Sequence, residues 1–239
     1  MARDHALARC LEPGEGVLRL YAWRRPTVSF GRNEPARERY ARTGDPARGV
    51  DFVRRPSGGR AVLHHREVTY AVVVPDRALG GPREAYRRIH EGLVDGLALL
   101  GVGAVVAVEG EVPAPDQGPC FRLPAPGEIA VGGRKLVGSA QVRLEGTLLQ
   151  HGSVILDGDQ RILAALRGEE PDPADVPATL RSAGAASTSV GEVAATLYRG
   201  CRLAWGGSWS EGGYRSRETE VADRLRLERY GTDEWTWRR

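Results

Sequence analysis

Short apolar runs separated by glycine, proline and charged residues fill the first two thirds of the chain, and most are strand-length. Residues 17–23 read as a strand, 27–30 as another that stops at Gly31, and 50–54 as a third. Residues 61–65 and 68–75 read as two strands joined tightly through Arg66 and Glu67. The unbroken run Tyr70-Ala71-Val72-Val73-Val74 suits a strand buried on both faces. The period then changes. Tyr86, Ile89, Leu93, Leu97 and Leu100 recur at helical spacing behind Pro82, which favours a first turn, and Gly101 ends the helix. Residues 102–108 return to a strand pattern.

Residues 109–127 break the rhythm with five prolines and no hydrophobic period, so they read as a loop, and Cys120 lies within it. Beyond it, residues 128–131, 134–143 and 147–156 form a predicted meander turned by Gly132-Gly133 and Glu145-Gly146. Around Pro171, Pro173 and Pro177 the chain reads as a polar, exposed linker. Two helices close the chain. Ser189 with Glu192 makes a capping-box pattern ahead of Val193, Leu197 and Cys201, and residues 216–230 form the last helix, ended by Gly231. The expected class is α/β (α+β): one domain with a mixed or antiparallel central sheet, followed by a short helical tail.

The 239 residues suffice for a full hydrophobic core. No apolar run approaches a membrane span, no secretory signal is visible, and a net charge of +3 lacks the clustered basic face of a nucleic-acid binder. Three widely spaced cysteines without a CxxC argue against a disulfide framework or a zinc site, and the chain is expected to be reduced and cytoplasmic. Of the 34 basic residues only Lys135 is a lysine. Its compact amine differs from a guanidinium fork, so this position is a candidate for chemistry that arginine could not do.

Four segments could carry chemistry. In Arg54-Arg55-Pro56-Ser57-Gly58-Gly59-Arg60, paired glycines let backbone N–H groups approach a ligand and arginines favour an anion, although a hairpin turn with surface arginines reads equally well. In Gly133-Arg134-Lys135-Leu136-Val137-Gly138-Ser139-Ala140-Gln141, strand alternation puts Lys135 and Val137 on one face and Leu136 and Gly138 on the other; a solvated hairpin lysine is the plain alternative. His151, beside Gly152, could position a ligand or be a buried structural histidine, and only one of the adjacent His64 and His65 can face a given side. Cys120 is the candidate nucleophile. Cys201 reads as core and Cys10 as part of a flexible start, and an ammonium near Cys120 would favour its thiolate.

Together, RRPSGGRAVLHHREVTYAVVVP and GRKLVGSAQVRLEGTLLQHGSVIL resemble the lipoate-protein ligase A / octanoyltransferase family, within the superfamily that includes biotin protein ligases. The resemblance spans roughly residues 15–205. It implies a biotin/lipoate ligase catalytic-domain fold, with a central mixed sheet and a smaller sheet packed around a ligand tunnel. Residues 1–210 would be that catalytic domain and 211–239 the helical tail. The Cys-Phe pair and the step from Cys120 to Lys135 resemble the cysteine-dependent octanoyltransferase branch, which implies Cys120 as acyl acceptor and Lys135 as the residue lowering its pKa. Arg55, Ser57, Gly58, Gly59, Arg60, His64, Gly138, Ser139, Ala140, Gln141, His151 and Gly152 would line the substrate site. The implied donor is octanoyl-acyl carrier protein. The implied acceptor is a lysine of a lipoyl domain protein, such as glycine cleavage H protein or a dehydrogenase E2, with no nucleic acid, membrane, metal or cofactor involved. The segment Gly31-Arg32-Asn33-Glu34 is closer to the ligase pattern. An ATP- and magnesium-dependent lipoate ligase, and an amidotransferase moving octanoyl between carrier domains, are the alternatives within the family. A non-catalytic acyl-binding protein is the alternative outside it.

Overall fold

The computed structural model describes residues 1–40, 47–107, 127–172 and 176–239. Among them, six strands form one sheet and three form another. The large sheet contains β1 (Val17–Tyr21), β5 (Glu67–Pro75), β9 (Thr147–Ile155), β8 (Arg134–Leu144), β7 (Ile129–Val131) and β6 (Val105–Val106), in that order across the sheet. Its pairings are all antiparallel. The small sheet has β2 (Thr27–Phe30) in the centre, parallel to β3 (Asp51–Arg54) and antiparallel to β4 (Val62–His64), so the parallel pairing sits here.

The apolar run of β5 is explained by its place. Val68, Tyr70 and Val72 face one core, which α2 (Pro82–Ala98) and α4 (Val190–Trp205) close with Ile89, Leu93, Leu97, Val193 and Leu197. Ala71 and Val73 face the opposite core, where Leu7 and Ala8 of α1 (Ala2–Cys10) pack. A strand covered on both faces has no use for polar alternation. The tight connection at His65-Arg66 is not a hairpin: β4 belongs to the small sheet and β5 to the large one, so this turn, with Arg66 at φ 51°, carries the chain between them. The meander of β7, β8 and β9 forms as its turns predict, with Gly132 and Gly133 both at positive φ.

Several expectations need correction. The start of the chain is helix α1, and Cys10 is buried at its end. The strand expected over 102–108 shrinks to two residues at the sheet edge. Ser189 stands at the α4 N-terminus without a side-chain capping bond. The linker is only partly exposed: Pro177, Ala178 and Leu180 are buried, with Ala178 N–H donating to the Lys135 carbonyl at 2.9 Å. A short helix α3 (Ile162–Leu166) was not anticipated. The helix expected over 216–230 does form, as α5 (Ser216–Leu225) continued through Arg226–Tyr230 and ended at Gly231, but it is not the last: α6 (Asp233–Thr236) follows. Residues of this end pack back on the body. Trp237 joins Phe30 in the core under the small sheet, and buried Arg54 donates to the carbonyls of Gly31, Glu34 and Thr236 at 2.6, 2.8 and 3.0 Å.

Candidate active site

A cleft opens where the two sheets meet. It is lined by Ser29 of β2, Arg55 and Gly59 of the glycine loop, Val62 and His64 of β4, Thr69 of β5, and the facing segments 138–140 and 151–153 of β8 and β9. Its empty space, including the part open to solvent, is about 450 Å³. Antiparallel register explains why two distant motifs meet here: Gly138 pairs with Ser153 and Ser139 with Gly152, while β5 brings Thr69 opposite Ser153. Gly152 is required by this packing. A Cβ there would lie 2.3 Å from the Gly138 carbonyl oxygen and 2.6 Å from the Tyr70 ring.

The glycine loop is rigidly stapled. Arg55 spends its guanidinium on carbonyls, donating to Ser29 at 2.9 Å, Gly58 at 2.9 Å and Arg60 at 2.7 Å. The loop also presses on Gly31, where a Cβ would fall 1.6 Å from the Gly59 oxygen. Arg55 therefore acts as the clamp of its own loop as well as a wall of the cleft. Ser57 Oγ lies 2.5 Å from His151 Nε2, tying the loop to β9. Burial lowers the His151 pKa to about 3, so the ring is neutral.

Of the residues expected to bind substrate, Arg55, Gly59, His64, Gly138, Ser139, Ala140, His151 and Gly152 line the cleft. Ser57, Gly58 and Arg60 stand behind it, their oxygens engaged in loop hydrogen bonds. Gln141 turns away, its amide donating to Gln150 and to the Pro82 carbonyl at 2.7 and 3.1 Å. His64 is buried at the end of β4, whose three residues are all buried, and His65, just beyond the strand, is exposed.

Lys135 is not a solvated hairpin lysine. Its side chain is 2% exposed, and Nζ lies 2.5 Å from Glu128 Oε1 across the β7–β8 turn. The simple two-face alternation fails here: Ala130 pairs with Lys135 but Ile129 with Val137, so β8 advances two residues for one of β7. Both Leu136 and Val137 consequently enter the same core. Lys135 sits three residues before Gly138, roughly 10 Å along the strand from the cleft. Cys120 lies outside the described residues. Cys201 is buried in the α2–α4 core, where burial pushes its thiol up to about 12. Among the described residues no group of His, Cys, Asp and Glu is arranged to hold a metal, and no helix is long and apolar enough to cross a membrane.

Several site residues escaped sequence reasoning. Trp23 stacks on His64, with ring centroids 4.4 Å apart, and Glu67 is 2.8 Å from His64 Nδ1. A second chain of bonds runs behind Ser139. Gln150 Nε2 donates to Tyr70 OH at 2.9 Å, Tyr70 OH to Ser139 Oγ at 2.6 Å, and Ser139 lies 2.8 Å from His90 Nε2. His90 Nδ1 meets the Gly127 carbonyl at 2.5 Å, and burial lowers this imidazole to about 4. Its neutral ring thus donates at Nδ1 and accepts at Nε2.

The fold is shared with solved lipoate protein ligases. The T. acidophilum lipoate protein ligase solved with bound lipoic acid superposes with a TM-score of 0.82 at 24% identity, covering 100% of this chain and 92% of that one. A lipoate-protein ligase A solved with ATP gives the same TM-score and identity over 99% and 92%. The chain belongs to the lipoyl protein ligase A/B catalytic domain family, whose match covers residues 1–193. Among curated relatives, Octanoyltransferase LipM of Kyrpidia tusciae is 40% identical over 100% of this chain and 94% of its own length. Octanoyltransferase LipM of Symbiobacterium thermophilum is 37% identical over 100% and 93%.

Proposed function

We propose that this chain is an octanoyltransferase of lipoate biosynthesis: an acyltransferase that moves octanoyl from acyl carrier protein to a lysine of a lipoyl carrier domain through a thioester on Cys120. The observation that carries this reading is the identity of 40% and 37% to octanoyltransferases over essentially the whole of both chains. The lipoate ligases among the structural neighbours stand at 24% and speak for the fold alone.

The chemistry runs in two steps. The Cys120 thiolate attacks the donor thioester, exchanging one thioester for another without activation by ATP. The acceptor amine then attacks the acyl-enzyme and forms an amide. Lys135 supplies a buried ammonium, held by Glu128, whose charge favours a nearby thiolate. The glycine loop and residues 138–140 hold the acyl chain in the cleft. Burying roughly seven carbons at ~0.8 kcal/mol each contributes about 5 kcal/mol before the costs of association. The donor and acceptor are both proteins.

The test compares two complete reactions. Octanoyl-acyl carrier protein plus apo carrier domain, without ATP, is expected to give octanoylated carrier. Free octanoate with ATP and magnesium is expected to give neither product nor pyrophosphate. The reverse pattern would establish the ligase alternative instead.

A further inference from the structure

Several arginines gather where residues 226–239 pack against the glycine loop. Arg238 Nη2 donates to the Arg32 carbonyl at 2.5 Å, and the Arg32 N–H donates to the Ser57 carbonyl at 2.8 Å. Trp235 organises the group. The guanidinium carbons of Arg229 and Arg238 lie 3.7 and 4.0 Å from its ring centroid. Two guanidinium groups cannot share one face of an indole at those distances, so the ring is sandwiched between them, and its π faces hold two cations only a ring's thickness apart. The indole is itself fixed, with Nε1 donating to the Arg54 carbonyl at 2.8 Å.

Arg54, fully buried, adds a third charge from behind. Its Nε and Nη1 are spent on carbonyls, but Nη2, which shares with Nε the edge facing Trp235 and Thr236, has no hydrogen-bond partner. The Nε atoms of Arg229 and Arg238 are also buried and unpartnered. Burial and the charges of Arg32, Arg239 and Arg229 lower the Arg238 pKa, and burial followed by the charge of Arg238 lowers Arg54 to about 10. Glu34 opposes the shift at Arg54, yet its carboxylate is already engaged by the Tyr40 hydroxyl at 2.8 Å and the Gly31 N–H at 3.2 Å.

Cations crowded in this way repel one another, and a bound anion relieves the repulsion. Guanidinium forks match the oxygens of phosphate and carboxylate. A carboxylate offers two oxygens in one plane, whereas a tetrahedral phosphoryl group offers oxygens in several directions, as three separate guanidinium groups require. We infer that Arg32, Arg229 and Arg238 form a binding site for a phosphoryl group, with Arg54 behind it. None of these residues other than the neighbouring glycine loop's own lines the acyl cleft, so the inference does not rest on acyl transfer. Two sources present such a group: free inorganic phosphate, and the phosphate of a pantetheine arm like that of an acyl carrier protein. The second source would lay the arm of the donor against the glycine loop.

The experiment measures phosphate binding and thermal unfolding of the full chain in sodium phosphate and in sodium chloride at equal ionic strength, since general screening is the same in both. At ten times the measured Kd, phosphate is expected to raise Tm by about 3–6 °C over chloride. Arg229→Gln combined with Arg238→Gln is expected to weaken phosphate binding by roughly tenfold or more. Those two side chains also pack on Trp235, so Arg32→Gln, which changes an exposed side chain, separates binding from folding. It is expected to weaken phosphate binding by roughly threefold or more while Tm in chloride stays within about 2 °C of wild type. Tighter binding of 4′-phosphopantetheine than of inorganic phosphate, lost with pantetheine, would support the site and assign it to the donor's arm. Binding no tighter than that of inorganic phosphate would support the site and assign it to the free anion. Equal Tm in phosphate and chloride, or undiminished phosphate affinity in both variants, would overturn the inference.

Discussion

Replacing Lys135 with Met separates what the ammonium does for stability from what it does for chemistry. The side chains of Lys135 and Glu128 are 2% and 11% exposed, and their charged atoms are 2.5 Å apart. Removing one member of a buried pair typically costs about 3–5 kcal/mol, because the other charge loses the partner that offset its desolvation. For a chain of this length each kcal/mol shifts Tm by roughly 2–4 °C, so Lys135→Met is expected to lower Tm by roughly 6–20 °C. Lys135→Met combined with Glu128→Leu removes both charges, and its stability is expected to return to within about 2 kcal/mol of wild type. Transfer from octanoyl-acyl carrier protein is expected to be lost in both variants, since neither keeps an ammonium. Urea unfolding of wild type, both singles and the double gives the coupling energy, and the transfer assay gives the rest. Equal stability of Lys135→Met and wild type would refute the buried pair. Wild-type transfer by the double variant would refute a chemical role for Lys135.

Three further outcomes are expected. His90 and His151 are held neutral by burial, at about 4 and about 3, below the ordinary 6.5 of an unfolded chain, so the unfolded state binds more protons between those values. The stability they contribute is complete above pH 6.5 and lost as pH falls, by about 2 kcal/mol for each ring at pH 5; urea melts at pH 7 and 5 should show it, and a flat profile would contradict it. Gly152→Ala must push a Cβ against the Gly138 carbonyl, the Tyr70 ring and Ser139 Oγ, so stability should drop by about 1–3 kcal/mol and kcat/KM for the acyl donor at least tenfold. Arg54→Met removes the buried guanidinium that ties the carbonyls of Gly31 and Glu34 to those of Trp235 and Thr236, and trypsin should then release peptides from residues 226–239 of an otherwise folded chain.

The central architecture was legible where local pattern and tertiary place agree. The unbroken β5 run could only be a strand covered on both sides, and the two glycine-marked turns specified the meander that brings residues 138–140 beside 151–153. Helix α1 was illegible because it has no polar face to give a period: it buries Asp4 and His5 as well as Ala6, Leu7 and Ala8, packed between the sheet and α5. The strand over 102–108 was overdrawn because residues at a sheet edge beside Gly103 gain little from extended pairing.

At the site, residue types were readable but their partners were not. Lys135 stood out by its rarity, yet its pairing with Glu128 depends on a hairpin register that a bulge displaces. A signal existed: opposite charges flank the Gly132-Gly133 turn. His64 was a visible candidate, but Ser29 and Glu67 meet it only because β4 pairs with β2 and then hands the chain to the other sheet, a crossing that no local pattern announces. Gln141 was grouped with its neighbours by motif, whereas its position on β8 turns its amide toward Gln150 and Pro82.

The most direct test of covalent acyl transfer is the intact mass of the protein after mixing with octanoyl-acyl carrier protein in the absence of ATP. The account predicts the addition of one octanoyl group, mapped to Cys120 by peptide fragmentation and absent from Cys120→Ser. An unchanged mass with turnover intact, or full activity in Cys120→Ser, would contradict it.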